Sequence, residues 1–253
     1  MSADAQALAA AFAGGPRVEK LADPPGTVEE AYDLQDAVRA HIGRPIVGWK
    51  LAQTTPGAQA AAGITAPTVS PLLEGMIVPQ ETVFGENRFN APEVEAEIVL
   101  ETAEDITGPL EGDRLLGAIA QIRLAIEVAD TRYVDKPAVG VHSVIADMNS
   151  CGALVVGQPL DLGELSAAAD GDVVMRLGDG GLVPALKKEM RPKPIEVLAF
   201  LSRFATARGH TIPAGTLITT GTHTAPTRSG PGMIAAEFAA AGKVTARLGA
   251  PRP

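Results

Sequence analysis

The chain has 253 residues, of which 46% are apolar, 4% aromatic and 20% charged, with a formal net charge of −9. That length suits one sizeable domain or two small ones around an aliphatic core, and the charged fraction is that of a globular chain rather than a disordered one. An acidic chain without a basic run is a poor partner for nucleic acid or an anionic membrane, no apolar run approaches the ~18 residues of a membrane span, and the single cysteine, Cys151, excludes an internal disulfide and a cysteine-based zinc site.

In chain order, MSADAQALAAAFAGG is Ala-rich without a basic leader and reads as a short helix, not a signal peptide, so a cytoplasmic location is expected. TVEEAYDLQDAVRAHIG is a helix with a Thr27/Glu30 capping box, an apolar stripe of Ala31, Leu34, Val38 and Ile42, and a stop at Gly43. PIVGWKLA is a short strand carrying Trp49, read as a packing residue, and Lys50. TTPGAQAAAG is a helix with Thr55 as N-cap, Pro56 at its first position and Gly63 as terminator. EVEAEIVLE is a strand, DRLLGAIAQ a helical piece and IRLAIEVAD a second strand. CGALVVG follows, then DVVMRLGDGGLVPAL as a hairpin about Asp179-Gly180-Gly181, and PIEVLAFLSRFATARG as an amphipathic helix ending at Gly209. Three more strands are expected near Thr216–Thr220, Met233–Phe238 and Lys243–Leu248. Strands far outnumber crossover helices, which predicts an α+β fold with a mixed, mostly antiparallel sheet. No glycine-rich phosphate loop sits between a strand and a helix, so nucleotide binding has no support.

The first of these strands raises a chemical question. Val94, Ala96, Ile98 and Leu100 fall on one face, and Glu93, Glu95 and Glu97 on the other. Side chains two apart on a strand stand roughly 7 Å from each other, so ionised neighbours repel. A solvated face would screen that repulsion; a buried one needs a proton, a basic partner or a cation. Glu127 lies on the polar face of the second strand, with Asp130 and Arg132 close behind it. If the strands are neighbours, Glu95, Glu97 and Glu127 converge. Three carboxylates without Cys or a His pattern suit a hard cation, Mg2+ or Mn2+ or else Ca2+. Lys50, directly after Gly-Trp in an apolar strand, is either a surface lysine at a strand end or a buried proton carrier. Cys151 reads as a small buried thiol.

VEAEIVL, followed about thirty residues later by AIEVADTR, resembles the fumarylacetoacetate hydrolase superfamily. Its 2-keto-4-pentenoate hydratase and 4-oxalocrotonate decarboxylase branch is the closer match. AYDLQ, VGWKLAQTTPGAQAAAGI and SPLLEGM follow that branch in order and spacing, IADMNSCGALVVG resembles its next block, and AGTLITTGTHTAPTRSGPGMIAAEFAAAGKVTARL its closing strands. The resemblance covers nearly the whole chain. It implies a mixed sheet rolled into a pseudo-barrel with flanking helices, bound Mg2+ or Mn2+, and a homo-oligomer. It implies that Glu95, Glu97 and Glu127 are the metal-binding acids and Lys50 the active-site lysine. Asp130 and Arg132 match its D-x-R pattern, and Ser150 matches a serine lining the same pocket. Residues 1–70 would be a helical and strand segment contributing Lys50, and residues 71–253 the catalytic mixed β domain, together one structural unit.

Four departures bear on the substrate. Met148 stands where hydratases commonly have Asn, with Asn149 one place on. Gly75 replaces an acid before Met76, with Glu74 one earlier. MRPKP, from Met190 to Pro194, replaces a Gly-Asn-Pro. His223 stands in the turn GTHT where the family has a small or aromatic residue. The expected activity is a metal-dependent lyase acting on a small 2-oxo or 2-hydroxydienoic acid, with hydration of a 2-hydroxypenta-2,4-dienoate preferred, decarboxylation next and C–C hydrolysis third. Hydrolysis would need a His paired with an acid. His41 is a helix residue more readily read as solvated, and His142 and His223 lie nearer the blocks that resemble active-site segments. A catalytically idle oligomer partner is the reading from outside enzymology.

Overall fold

The computed structural model describes residues 2–252. Two helices open the chain, α1 (Ala3–Phe12) and α2 (Val28–Ile42), and pack on one another. In α2 the Thr27 hydroxyl accepts from the Glu30 N–H at 3.1 Å, and the Glu30 carboxylate accepts from the Thr27 N–H at 3.2 Å. This is the reciprocal cap that the Thr-x-x-Glu spacing predicts. Strand β1 (Ile46–Ala52), helix α3 (Pro56–Ala62) and strands β2 (Thr68–Leu73) and β3 (Ile77–Pro79) follow. Next come β4 (Glu93–Thr102), the single turn α4 (Arg114–Gly117), β5 (Ile119–Ala129), α5 (Gly140–Ala146) and β6 (Cys151–Leu160). The rest comprises α6 (Leu165–Asp170), the hairpin of β7 (Val173–Arg176) and β8 (Leu182–Pro184), α7 (Pro194–Ala207), β9 (Leu217–Thr222), β10 (Thr227–Arg228), β11 (Gly232–Phe238) and β12 (Gly242–Leu248).

The larger sheet has the order β2-β1-β9-β4-β5-β6-β3, with β10 on the end of β4. Its β1/β9 and β3/β6 pairs are parallel and the others antiparallel, and it curls into a half-barrel flanked by helices. A second antiparallel sheet, β12-β11-β7-β8, packs across it. The main core lies between them. Val94, Ala96, Ile98, Leu100, Ile122, Ile126 and Val128 from β4 and β5 meet Ile234, Ala236, Phe238, Val244 and Ala246. The opposite face is also covered, by a smaller cluster of Val99, Ala125, Leu72, Met148 and Leu154. The α+β class and the mixed sheet are therefore as the sequence predicts. β2 runs across residue 70, and β1 lies between β2 and β9, so residues on both sides of that boundary share one sheet.

Two expectations change. The helical piece predicted over DRLLGAIAQ is a helix only to Gly117, because Ile119 to Gln121 pair with β4 and begin β5. Burial of Ala118 and Ile119 in the core outweighs their helix propensity. Residues Gly140–Ala146, not assigned from sequence, form α5, whose Ile145 carbonyl accepts from the buried Gln35 amide of α2 at 2.7 Å.

Candidate active site

Strands β4 and β5 pair with Glu95 directly opposite Glu127, and Glu97 is two positions further along the same face. Their apolar faces are committed to the inter-sheet core, so the carboxylates are forced to the inner side of the half-barrel. Glu97 and Glu127 are each 1% exposed, and Glu95 is partly buried. The solvated-face reading therefore fails for these three. It holds in part for Glu93, which is half-exposed and pairs with Lys136 at 2.8 Å.

Lys50 reaches the same place from β1. Three inter-strand steps separate β1 from β5, about 14 Å in a flat sheet; the curl of the sheet closes that gap. The Lys50 ammonium, 3% exposed, is ion-paired with Glu127 and donates to the Asn149 carbonyl at 2.8 Å. Burial alone would lower its pKa, but the charge of Glu127, joined by Cys151, Glu95 and the hydrogen bond to Glu127, more than offsets this and holds it above the usual lysine range. Burial, reinforced by Glu127, pushes the Glu95 carboxyl up to about 7 and Glu97 well above the ordinary carboxylate value. Glu97 is partly steadied by the Gly221 N–H, which donates to it at 3.1 Å. Gly221 has φ +102, and a Cβ there would collide with Thr54, so this close approach of backbone to carboxylate requires glycine.

These groups line a cleft of about 410 Å3, together with Gln53, Thr55, Ala58, Val144, Asn149, Glu189, Met190 and Thr222. Among the described residues, no three His, Cys, Asp or Glu side chains already stand at a metal's coordination distance. The donor set nonetheless suits a hard cation. The cleft presents four carboxylates, Glu95, Glu97, Glu127 and Glu189, and no thiolate or imidazole, and apart from the Lys50 ion pair neither Glu127 oxygen receives a hydrogen bond from the described residues.

Asp130, Arg132 and Ser150 lie outside the lining of this cleft. The Asp130 carboxylate accepts from the Asn90 and Ala91 N–H groups at 2.9 and 2.8 Å and from the Asn90 amide at 3.0 Å. Arg132 is ion-paired with Asp147 and donates to the carbonyls of Asp130, Cys151 and Asp147. Both side chains are fully engaged in bracing backbone behind the site. Asp130 braces the Asn90–Ala91 backbone, and Arg132 braces the carbonyls on either side of a turn in which Met148, Asn149 and Ser150 all have positive φ, at 48°, 49° and 56°. Its Asn149 carbonyl is the one that holds Lys50. The Ser150 hydroxyl is buried without a partner among the described residues. Cys151 is fully buried, its thiol pushed up to about 12 by burial. Trp49 is a packing residue, edge-on to His210. His41 and His142 line other surface recesses. His223 is fully buried against Phe238, and burial lowers it to about 4, Arg191 adding to the effect.

A family model described as fumarylacetoacetate (FAA) hydrolase C-terminal matches residues 28–248. The chain belongs to that family. Within it, this member is 31% identical over 239 residues to a 4-oxalocrotonate decarboxylase from Pseudomonas putida, covering 89% of this chain and 87% of the relative. It is 29% identical over 210 residues to a 2-keto-4-pentenoate hydratase from Paraburkholderia phymatum, covering 78% and 77%. The solved structure of 4-oxalocrotonate decarboxylase from Pseudomonas putida G7, complexed with calcium and acetate, superposes with a TM-score of 0.80 at 28% identity, over 97% of this chain and 96% of that one. The same enzyme complexed with magnesium and adipate gives 0.79 at 27% identity, over 96% and 97%. Among the described residues, no helix is long and apolar enough to cross a membrane.

Proposed function

We propose that this member of the family is a divalent-metal-dependent lyase acting on a small 2-oxo acid. The observation that carries the reading is the buried Lys50 ammonium set against Glu127 in one cleft with Glu95 and Glu97. Glu95, Glu97 and Glu127 would hold Mg2+ or Mn2+. When bound, the cation supplies a Lewis acid that draws electrons towards the C2 oxygen of a 2-oxo acid. Lys50 rests as the ammonium and so acts as a proton donor, aimed by Glu127 and by the Asn149 carbonyl. Arg132 acts as a positioning residue through the carbonyls that flank the Met148–Ser150 turn, and Asp130 through its backbone N–H, which donates to the Ser150 carbonyl.

Two outcomes share these parts. In decarboxylation a C–C bond breaks, CO2 departs, the electron pair enters an enolate and Lys50 returns a proton to carbon. In hydration, water adds to the conjugated chain and a second proton carrier is required. Decarboxylation stands first here. Ala52, Ala58, Ala61, Val144 and Pro226 give much of the cleft an apolar lining, which disfavours an ordered attacking water, and two decarboxylase relatives are 31% and 30% identical to this chain against 29% for the hydratase. Hydration, preferred from the sequence alone, is the second reading, supported by the hydratase relative.

The purified protein, given Mg2+ and a panel of 2-oxo-enedioates and 2-hydroxydienoates, is expected to convert at least one. Released CO2 marks decarboxylation, and added water marks hydration. Glu95→Gln is expected to abolish Mg2+ binding by calorimetry and turnover while the circular dichroism spectrum is unchanged. A folded wild-type protein that binds neither Mg2+ nor oxalate would point to the idle partner and overturn the enzyme reading. Self-association belongs to the proposal and is read by light scattering.

A further inference from the structure

We propose that Asn149 contacts the substrate directly, its side-chain NH2 donating a hydrogen bond to a carboxylate oxygen of the 2-oxo acid held in the cleft. The proposal rests on the metal-dependent reading above and adds to it a residue that recognises the acid. Asn149 is 5% exposed and lines the cleft beside Lys50 and the three glutamates. Its Nδ2 is buried and has no hydrogen-bond partner among the described residues. An amide nitrogen carries two N–H donors, and buried donors are nearly always satisfied. Among the described residues, the other buried side-chain atoms of this cleft without a hydrogen bond are the two Glu127 oxygens, which are acceptors. The cleft thus offers a cation's ligands and, next to them, one free donor. A carboxylate that shares the cation through one oxygen has a second oxygen for that donor.

The amide is oriented by a short relay. Thr68, 1% exposed, has its hydroxyl at 3.1 Å from Asn149 Oδ1 and also against the Gln53 side-chain Oε1, so as placed both contacts are to amide oxygens. A hydroxyl has one proton, so it donates to one amide and accepts from the other. The carboxylates in the cleft favour the arrangement in which the Gln53 amide is turned so that its NH2 donates to Thr68, Thr68 donates to Asn149 Oδ1, and the Asn149 NH2 faces the cleft. The plain alternative is that Asn149 is present only for its left-handed backbone, φ 49°, which Asn tolerates better than most residues. Glycine separates the two explanations, since it keeps that backbone and removes the amide.

The test titrates Mn2+ alone, and then oxalate into Mn2+-saturated protein, by calorimetry for wild type, Asn149→Gly, Asn149→Ala and Thr68→Val, with folding checked by circular dichroism. Asn149→Gly is expected to bind Mn2+ within about threefold of wild type and oxalate about tenfold more weakly, the loss of one hydrogen bond to an anion. Thr68→Val is expected to show a smaller loss for oxalate with Mn2+ binding kept. Oxalate affinity equal to wild type in folded Asn149→Gly or Asn149→Ala overturns the proposal and leaves the metal reading standing. Equal losses for Mn2+ and oxalate assign Asn149 a structural role and also overturn it. Wild-type protein that takes up no Mn2+, or Mn2+ but no oxalate, overturns the underlying reading and this one with it.

Discussion

Arg132 shows how a charged residue in a family pattern can serve a site without entering it. The residue is 3% exposed, its guanidinium lies over the Phe12 ring, and among the described residues its polar partners are the Asp147 carboxylate and three backbone carbonyls. Burial raises the Asp147 carboxyl, and the Arg132 charge works against that rise. Truncating Asp147 to Ala leaves the guanidinium buried and uncompensated, so a loss of about 3–5 kcal/mol is expected, measured by urea unfolding. The Met148–Ser150 turn should loosen in the same variant, seen as faster amide exchange at Asn149. Period-two spacing was enough to put Glu95, Glu97 and Glu127 on common faces, and the resemblance supplied Lys50. Burial of the glutamate face was not legible, because alternation tells which residues share a side and not what covers it. The carbonyl of Asn149 was illegible for another reason: a run of three left-handed residues has no side-chain signature beyond one Asn.

At the scale of the element, capping chemistry and strand periodicity were the readable signals. The Thr27 and Thr55 caps, the Gly43 and Gly63 stops and the β7/β8 hairpin follow from local sequence. Helix α5 and the early start of β5 do not, since both are decided by neighbours distant in the chain. The β9 end is the element on which the site depends most. There Gly221 gives its N–H to Glu97 and leaves room for Thr54. Gly221→Ala is expected to push Thr54 into the cleft and weaken Mg2+ binding by tenfold or more, on the order of the loss of a hydrogen bond to a charged group. Calorimetry checks the affinity, and a thermal melt within a few degrees of wild type would place the damage at the site rather than in the fold.

For the molecule as a whole, buried titratable groups of opposite sense bound the stability from both sides of neutrality. Glu95 and Glu97 are raised above the ordinary carboxylate value of 4.5, so the folded chain holds protons that the unfolded chain has lost. Their contribution is complete below about 4.5; that of Glu95 is lost as pH rises through about 7, and that of Glu97 is lost as pH rises through its own raised value. His223 is lowered from 6.5 to about 4, so its contribution is present above 6.5 and is lost as pH falls towards 4. Metal-free protein should therefore be most resistant to urea near pH 6 and weaken towards pH 8. Saturating Mg2+, which binds the ionised carboxylates, should remove the alkaline loss. Urea midpoints that fall equally with and without Mg2+ would contradict this.

The order β2-β1-β9-β4 also has a consequence for how the chain is made. β1 is complete by Ala52, yet one of its two neighbours is β9, which ends at Thr222. During synthesis β1 and β4 both wait, each with an unpaired edge, until β9 has emerged. Such long-range closure makes folding slow and leaves strand edges open to wrong partners in the interval. The curl that brings Lys50 to the glutamates thus cannot form before β9 is made, and a chain synthesised only as far as α7 lacks the cleft.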